Sequence, residues 1–193
     1  VLMGADYQRR KTVVDWTSGG LAPINAFNPV YGNSGIEMYG NTSYLRRLEQ
    51  TGVYLQDLIE MDKWRFSLGL RQDWVETSDE NRIAEAGRPV GTEINDRRTK
   101  LTGRAGALYL FDNGLAPYIS YSESFNPNSY ADSAGNPLPP TDGKQWELGL
   151  KYQPPGTDDL YTASLFRIDQ ENLATKLPQE NFYRPVGAVR SQG

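Results

Sequence analysis

Neither histidine nor cysteine occurs among the 193 residues, and that absence removes most of the chemistry by which side chains catalyse. Without imidazole or thiolate there is no zinc site of the usual kinds, no cysteine nucleophile and no acid–base arrangement built on imidazole. Carboxylates remain. One pair, Asp158-Asp159, resembles the two acids of a glycosidase by proximity alone. It sits in a short turn just after Pro154-Pro155-Gly156, with nothing around it to form a pocket. There is no Gly-rich phosphate fingerprint and no P-loop. The net charge of −4 argues against nucleic acid, which calls for a basic face. Catalysis is not expected, so the charged and aromatic side chains have to be read through the elements that position them.

The clearest element is the stretch 52–76, GVYLQDLIEMDKWRFSLGLRQDWVE. Two alternating runs meet at a tight polar junction, Asp62-Lys63, and read as a hairpin. In the second run Trp64, Phe66, Leu68 and Leu70 share one parity, and Arg65, Ser67, Gly69 and Arg71 the other. A period of two places these sets on opposite faces of a strand. The apolar parity continues through Gln72 to Trp74. Steps of about 3.3 Å tilted by about 40° carry this run through about 25 Å, the height of the apolar band on an outer-membrane barrel. No apolar run reaches the roughly 18 residues of a transmembrane helix. A barrel strand shows lipid only every second residue, so a polar average composition is compatible with a membrane wall.

The pattern repeats along the chain. Strands are expected at 1–15, 45–61, 64–76, 97–111, 115–124, 144–153, 160–172 and 184–193. Val1, Met3, Ala5 and Tyr7 oppose Gly4, Asp6, Gln8 and Arg10. Leu101, Ala105, Ala107, Tyr109 and Phe111 oppose Arg98, Lys100, Thr102 and Arg104. Trp146, Leu148, Leu150 and Tyr152 oppose Gln145, Glu147, Gly149 and Lys151. The parity of 45–61 and of 160–172 stays open. Asp112-Asn113-Gly114 carries the Asn-Gly signal of a hairpin turn. Long loops (16–44, 77–96, 125–143, 173–183) alternate with short turns (62–63, 112–114, 154–156). In an antiparallel meander this gathers the long loops at one end, as in outer-membrane barrels with short periplasmic turns and long extracellular loops. A β-sandwich would have strands of about 5–6 residues.

The expected fold class is therefore all-β: an antiparallel transmembrane β-barrel segment of about eight strands. A closed barrel of about eight strands fills its interior with side chains. The inward face here carries many charges, among them Arg71, Asp73, Arg98, Arg104 and Glu147, and this suits a wider lumen. Val1 opens in mid-alternation with no signal peptide, and VGAVRSQG ends in the same way, so an internal piece of a larger barrel is expected. Trp64, Trp74, Trp146 and Tyr152 are read as girdle or lipid-facing residues.

Several segments resemble a known family: GVYLQD (52–57), RAGALYLFDNGLAPYISYSESF (104–125), GKQWELGLKYQPPG (143–156), LYTASLFRIDQEN (160–172) and GAVRSQG (187–193). LMGADYQR (2–9) and FNPVYG (27–32) join them in the same order. Together they resemble the barrel of TonB-dependent ferric-siderophore receptors, above all the hydroxamate branch that takes ferrichrome and ferrioxamine. The resemblance implies a barrel of about 22 strands around a plug, of which residues 1–193 are part, with the plug, its TonB-contact motif and the remaining strands absent. It implies the bacterial outer membrane, and uptake of an Fe(III)–siderophore energised through TonB. No cofactor is implied, because the iron arrives already chelated.

In that family the ligand sits in an outward-facing aromatic pocket. Tyr and Trp suit a hydroxamate chelate by combining large contact area with a polar handle. The resemblance makes Trp16, Phe27, Tyr31, Tyr39, Tyr44, Phe125 and Tyr130 the candidate ligand contacts. It makes Arg71, Asp73, Arg98, Arg104 and Glu147 candidates for facing the plug, against the plainer reading of a mutually paired barrel wall. Glu76, Asp79 and Glu80 form either a divalent-ion bridge to lipopolysaccharide or a solvated loop. The implied partners are the ferric siderophore, the TonB complex through the plug, outer-membrane lipid and lipopolysaccharide, and phages or toxins at the loops. A passive porin-like barrel and a soluble all-β carbohydrate-binding module stand as the competing readings.

Overall fold

In the computed structural model the alternating runs become eight strands: β1 (Leu2–Leu21), β2 (Ile36–Met61), β3 (Trp64–Asn81), β4 (Glu93–Tyr109), β5 (Leu115–Asn126), β6 (Thr141–Tyr152), β7 (Tyr161–Thr175) and β8 (Arg184–Gln192). Each pairs antiparallel with the next, in one sheet of order β1 to β8, an open half-barrel. The structure describes all residues except 22, 33–35, 84–88, 135 and 178–181, and only the backbone at 36, 37 and 39–41.

Register carries each face from strand to strand. Tyr54 lies opposite Arg71, and Arg71 opposite Thr102. Gly69 lies opposite Arg104, and Arg104 opposite Ser122. Ser120 lies opposite Glu147, and Glu147 opposite Phe166. All of these share the polar face. The two open parities are thereby settled. Val53, Leu55 and Ile59 of β2 join the apolar face, with Tyr54 and Leu58 on the polar one. Ala163 and Leu165 of β7 stand opposite Leu150 and Leu148 on the apolar face. Gln72, the polar interruption in the apolar row of β3, has its amide satisfied by the carbonyls of Asp73 and Lys100, at 3.1 and 2.9 Å.

One sheet cannot enclose a core. Among the described residues the buried apolar side chains are Leu45, Leu48, Val75, Ala116 and Leu138. The accessible surface is 13427 Å², against about 9,200 Å² for a compact water-soluble chain of this mass. Leu148 is 57% exposed, and Leu70 and Leu165 are exposed with it. A continuous apolar face of this kind needs lipid to cover it.

The short-turn end is tightly made. Asp62 takes a positive φ of 53° in the two-residue turn, a conformation that Asp tolerates better than most residues. Gly114 has φ 86°, and a Cβ there would run into the carbonyl of Gln153, so glycine is required on two counts. Lys63 Nζ reaches Asp112 Oδ2 at 2.6 Å and links neighbouring turns. Trp64 meets Tyr109 edge-on at 4.9 Å, and Tyr109 meets Phe111 at 4.8 Å, an aromatic cluster at the short-turn end.

The other end departs from expectation. β1 runs on to Leu21 and β2 begins at Ile36, so Trp16, Tyr39 and Tyr44 lie in strands rather than in a long loop. Phe125 likewise belongs to β5. The ladder tolerates the Gly- and Ser-rich stretch by a register shift between Ser18 and Gly19, a bulge that keeps a poor strand former paired. The contrast of loop lengths also fades at the last pair, 153–160 against 176–183. Finally, β5 pairs with β4 only from Arg104↔Ser122 to Leu108↔Tyr118. Beyond that point the β4–β5 ladder ends, Lys100 of β4 still reaches Asp142 of β6 at 2.8 Å, and the β5–β6 loop lies against residues of β2, β3 and β4.

Candidate binding site on the polar face

Two constellations lie on the polar face, one at the level of the apolar band and one at the long-loop end. The first is centred on Arg71. Its Nη1 and Nη2 hold the two oxygens of Asp6 at 2.7 and 3.0 Å, while Nε and Nη2 hold those of Asp73 at 2.9 and 2.8 Å. Gln50 Nε2 adds a third strand by donating to Asp73 Oδ1 at 2.8 Å. Such charge-assisted forks are the strong hydrogen bonds of proteins, and Asp73 is only 3% exposed. The guanidinium lies over Gly52, where any Cβ would collide with it.

Arg98 pairs with Asp96 at 2.8 Å, and Arg104 donates to Gln56. Glu147 accepts from Tyr118 and, at 3.2 Å, from Gln145. Tyr118 can lean this way because it lies over Gly149. The five expected lumen residues thus share one face, and each has a partner within the wall. A shallow hollow of about 440 Å³ runs past Tyr54, Gln56, Arg71 and Arg104.

The second constellation is built around Arg46. Tyr44 and Arg46 are two residues apart on β2, and Asp79 of β3 lies opposite Arg46. Arg46 Nε donates to Asp79 Oδ2 at 2.6 Å. The guanidinium carbon stands 4.1 Å from the centre of the Tyr44 ring and 4.8 Å from that of Tyr130. Tyr130 in turn stacks on Tyr183 at 3.9 Å and 23°.

Tyr130 comes from the β5–β6 loop, which folds on itself. Leu138 N donates to Tyr130 O at 2.9 Å, Asp132 N to Asn136 O at 2.9 Å, and Asn128 Nδ2 to Pro139 O at 2.6 Å. Buried Leu138 pins its base. Tyr183 comes from the β7–β8 connection; burial first, and then the neighbouring Tyr130 hydroxyl, push its phenol up from the ordinary tyrosine range. Beside Arg46 opens a hollow of about 330 Å³, walled by Arg10 and Thr12 of β1, Leu48 of β2 and residues 126–130. Its donors face an open, polar space, which suits a ligand rich in oxygen acceptors.

Of the expected ligand contacts, Tyr44 and Tyr130 are thus brought together. Phe125 is half-buried opposite Asp142. Trp16 is 63% exposed on β1, and Phe27 and Tyr31 are 99% and 81% exposed in the β1–β2 loop. The side chain of Tyr39 lies outside the described residues. Arg46 and Tyr183 were not anticipated; Arg46 lies within the expected strand 45–61, and once Tyr54 is placed inward alternation puts Arg46 on the same face, whereas nothing local marks Tyr183.

The acidic trio is matched by arginines: Asp79 by Arg46, Glu76 by Arg97 at 3.1 Å and Glu80 by Arg47 at 3.4 Å. All three lie in β3 rather than in a solvated loop, and Asp79 is buried; among the described residues no group of acids is arranged to hold a metal ion. Asp158 and Asp159 are exposed in the connection after β6.

Comparison with known proteins agrees with this architecture. The family model described as "TonB dependent receptor-like, beta-barrel" matches residues 1–193. The chain is 43% identical over 195 residues to the ferrioxamine B receptor of Salmonella typhimurium (strain SL1344), with 100% of this chain and 27% of that protein covered. It is 33% identical over 204 residues to the ferrichrome outer membrane transporter/phage receptor of Escherichia coli (strain K12), with 100% and 26% covered. It therefore spans about a quarter of the length of these relatives. Among solved structures it is similar to the siderophore receptor PiuA from Acinetobacter baumannii, with a TM-score of 0.71 at 20% identity over 97% of this chain and 31% of that one. The ferric-catecholate import receptor Fiu from K12 E. coli gives 0.69 at 21% identity, over 99% and 31%. At these identities the structural likeness speaks for the fold. With its whole length matched and its sheet following the walls of such receptors, the chain belongs to the TonB-dependent receptor β-barrel family.

Proposed function

We propose that this chain forms part of the wall of an outer-membrane receptor that takes up a ferric siderophore of the hydroxamate type, driven through TonB. The observation that carries this reading is the 43% identity with the ferrioxamine B receptor, sustained over 100% of the chain. The aromatic cluster at the long-loop end supports it, since tyrosine faces and arginine donors match the mixed apolar and carbonyl surface of a hydroxamate chelate. Iron is cargo here, carried inside its chelator, so no side chain of this chain has to ligate it. Members of the family are transporters rather than enzymes, and no catalytic step is assigned to any residue.

In this reading the Arg71 constellation lines the lumen and meets the plug of the complete receptor. The outward-facing Arg9, Arg47 and Arg97, which lie above the apolar band and pair with acids there, meet the headgroups of the outer leaflet, lipopolysaccharide included. The outer loops offer attachment sites for phages or toxins. The test is iron-limited growth of a strain lacking the intact receptor, fed a panel of hydroxamate and catecholate chelates with and without the restored gene. Growth on ferrioxamine B or ferrichrome should depend on the receptor. If no chelate depends on it, the siderophore assignment falls.

A further inference from the structure

We propose that Arg46 is the positioning residue of the ligand wall: it holds Tyr44, Tyr130 and Tyr183 as one aromatic surface. This rests on the hydroxamate-receptor reading above and says how that site is assembled. The three rings come from three separate places in the chain, β2, the β5–β6 loop and the β7–β8 connection. Only Tyr44 is placed by a strand. A ring on a free loop is dispersed over many conformations, and gathering it costs conformational entropy.

Arg46 supplies the anchor. Its Nε edge is fixed by Asp79 at 2.6 Å, in a pair whose side chains are 24% and 10% exposed. The guanidinium plane therefore cannot swing freely, and both neighbouring rings pack against it. A planar guanidinium can bond along its edge while it stacks on rings; a lysine ammonium cannot do both. Tyr130, once held, carries Tyr183 on its far side at 3.9 Å. The hollow walled by Arg10, Thr12 and residues 126–130 then has a fixed aromatic border. Arg46 also borders that hollow, and loop mobility measured without ligand separates its hold on the rings from any direct contact.

The experiment uses the intact receptor and Fe(III)–ferrioxamine B as probe, with equilibrium binding measured for wild type, Arg46→Lys, Arg46→Gln, Tyr183→Leu and the double variant Arg46→Gln/Tyr183→Leu. Heat-modified gel migration checks that each barrel is assembled. Both Arg46 variants should weaken binding by about tenfold, and Tyr183→Leu by a few-fold. The double variant should bind no more weakly than Arg46→Gln alone, because both changes undo the same wall. Multiplied effects in the double variant, or wild-type affinity in Arg46→Lys, overturn the proposal. A nitroxide on Ser133→Cys, at the tip of the β5–β6 loop, reads the positioning without ligand. It should gain mobility in Arg46→Gln, and unchanged mobility overturns the proposal whatever the ligand is. Wild-type receptor that binds no hydroxamate while the loop still loosens sinks the function reading and leaves the positioning role standing.

Discussion

From Trp64 to Trp74, β3 has one face for lipid and one for a wet lumen; from Val75 to Asn81 the same strand has no dry outer face. In the first stretch the outward apolar side chains are Trp64, Phe66, Leu68, Leu70 and Trp74, and all but Phe66 are exposed on the sheet. In the second, the outward Glu76 and Glu80 engage Arg97 and Arg47. The inward Val75, Thr77, Asp79 and Asn81 are buried, close to the β5–β6 loop at Asn128–Ala131. The band is held by transfer of apolar surface into lipid and by the backbone ladder, the outer zone by ion pairs and folded loops. One strand thus passes from a region where the solvent decides the residue to one where particular partners do.

The sharpest way to break this comparison is to place the same charge in both regions. Leu148→Arg puts a cation on the lipid face near the middle of the band and should destabilise the intact barrel by about 2–4 kcal/mol. Asn95→Arg puts it on the same face of the sheet above the band, where acids and water await it, and should leave stability near wild type. Guanidinium unfolding of the receptor in lipid vesicles, followed by tryptophan fluorescence, compares them. Equal effects would mean that the apolar rows do not mark the lipid boundary.

A smaller contrast separates the buried pairs from the rim. Asp73→Ala strips a nearly buried carboxylate from Arg71 and Gln50 at once, and should cost about 2–3 kcal/mol in the same assay. Arg97→Ala removes a partner from Glu76 at a pair whose side chains are 81% and 59% exposed, where solvent screening leaves little to lose. A rim variant as damaging as Asp73→Ala would show that the outer zone is held by its surface ion pairs rather than by the folded loops.

The same division decides what could be read from the residues alone. Period-two alternation is written by lipid on one side and water on the other, so the band, its turns at Asp62-Lys63 and Asn113-Gly114, and the common face of Arg71, Asp73, Arg98, Arg104 and Glu147 were legible. Above the band that pattern ends. Ser18, Gly19 and Gly20 disfavour strands by propensity, yet the ladder carries them through with a bulge, and Trp16 and Tyr44 were therefore placed in a loop. The Arg46 cluster was hidden for a different reason. Its members lie up to 139 positions apart, as numbered from Tyr44 to Tyr183, and only topology brings them together. Family resemblance names Tyr44 and Tyr130 as candidate contacts alongside Phe27 and Tyr31, which lie exposed in the β1–β2 loop.

The smallest expected effect tests whether the outer zone is packed at all. Burial and the adjacent Tyr130 hydroxyl raise the Tyr183 phenol, so the folded loops favour its neutral form over the free value of about 10. A group raised in the folded state lends stability that is complete below its unfolded value and is lost as pH climbs through the folded one. The loop contact should therefore hold through neutral and mildly alkaline pH and loosen only above the ordinary tyrosine range. Ultraviolet difference absorbance of the intact receptor, wild type against Tyr183→Phe, isolates this one phenol, which should ionise later than a free tyrosine. Tyr130→Leu removes both the cover and the neighbouring hydroxyl and should bring that ionisation back toward the free value. A Tyr183 that titrates as a free phenol in wild type would mean that the loops do not close on Arg46, and the outer zone would then be held by its surface pairs alone.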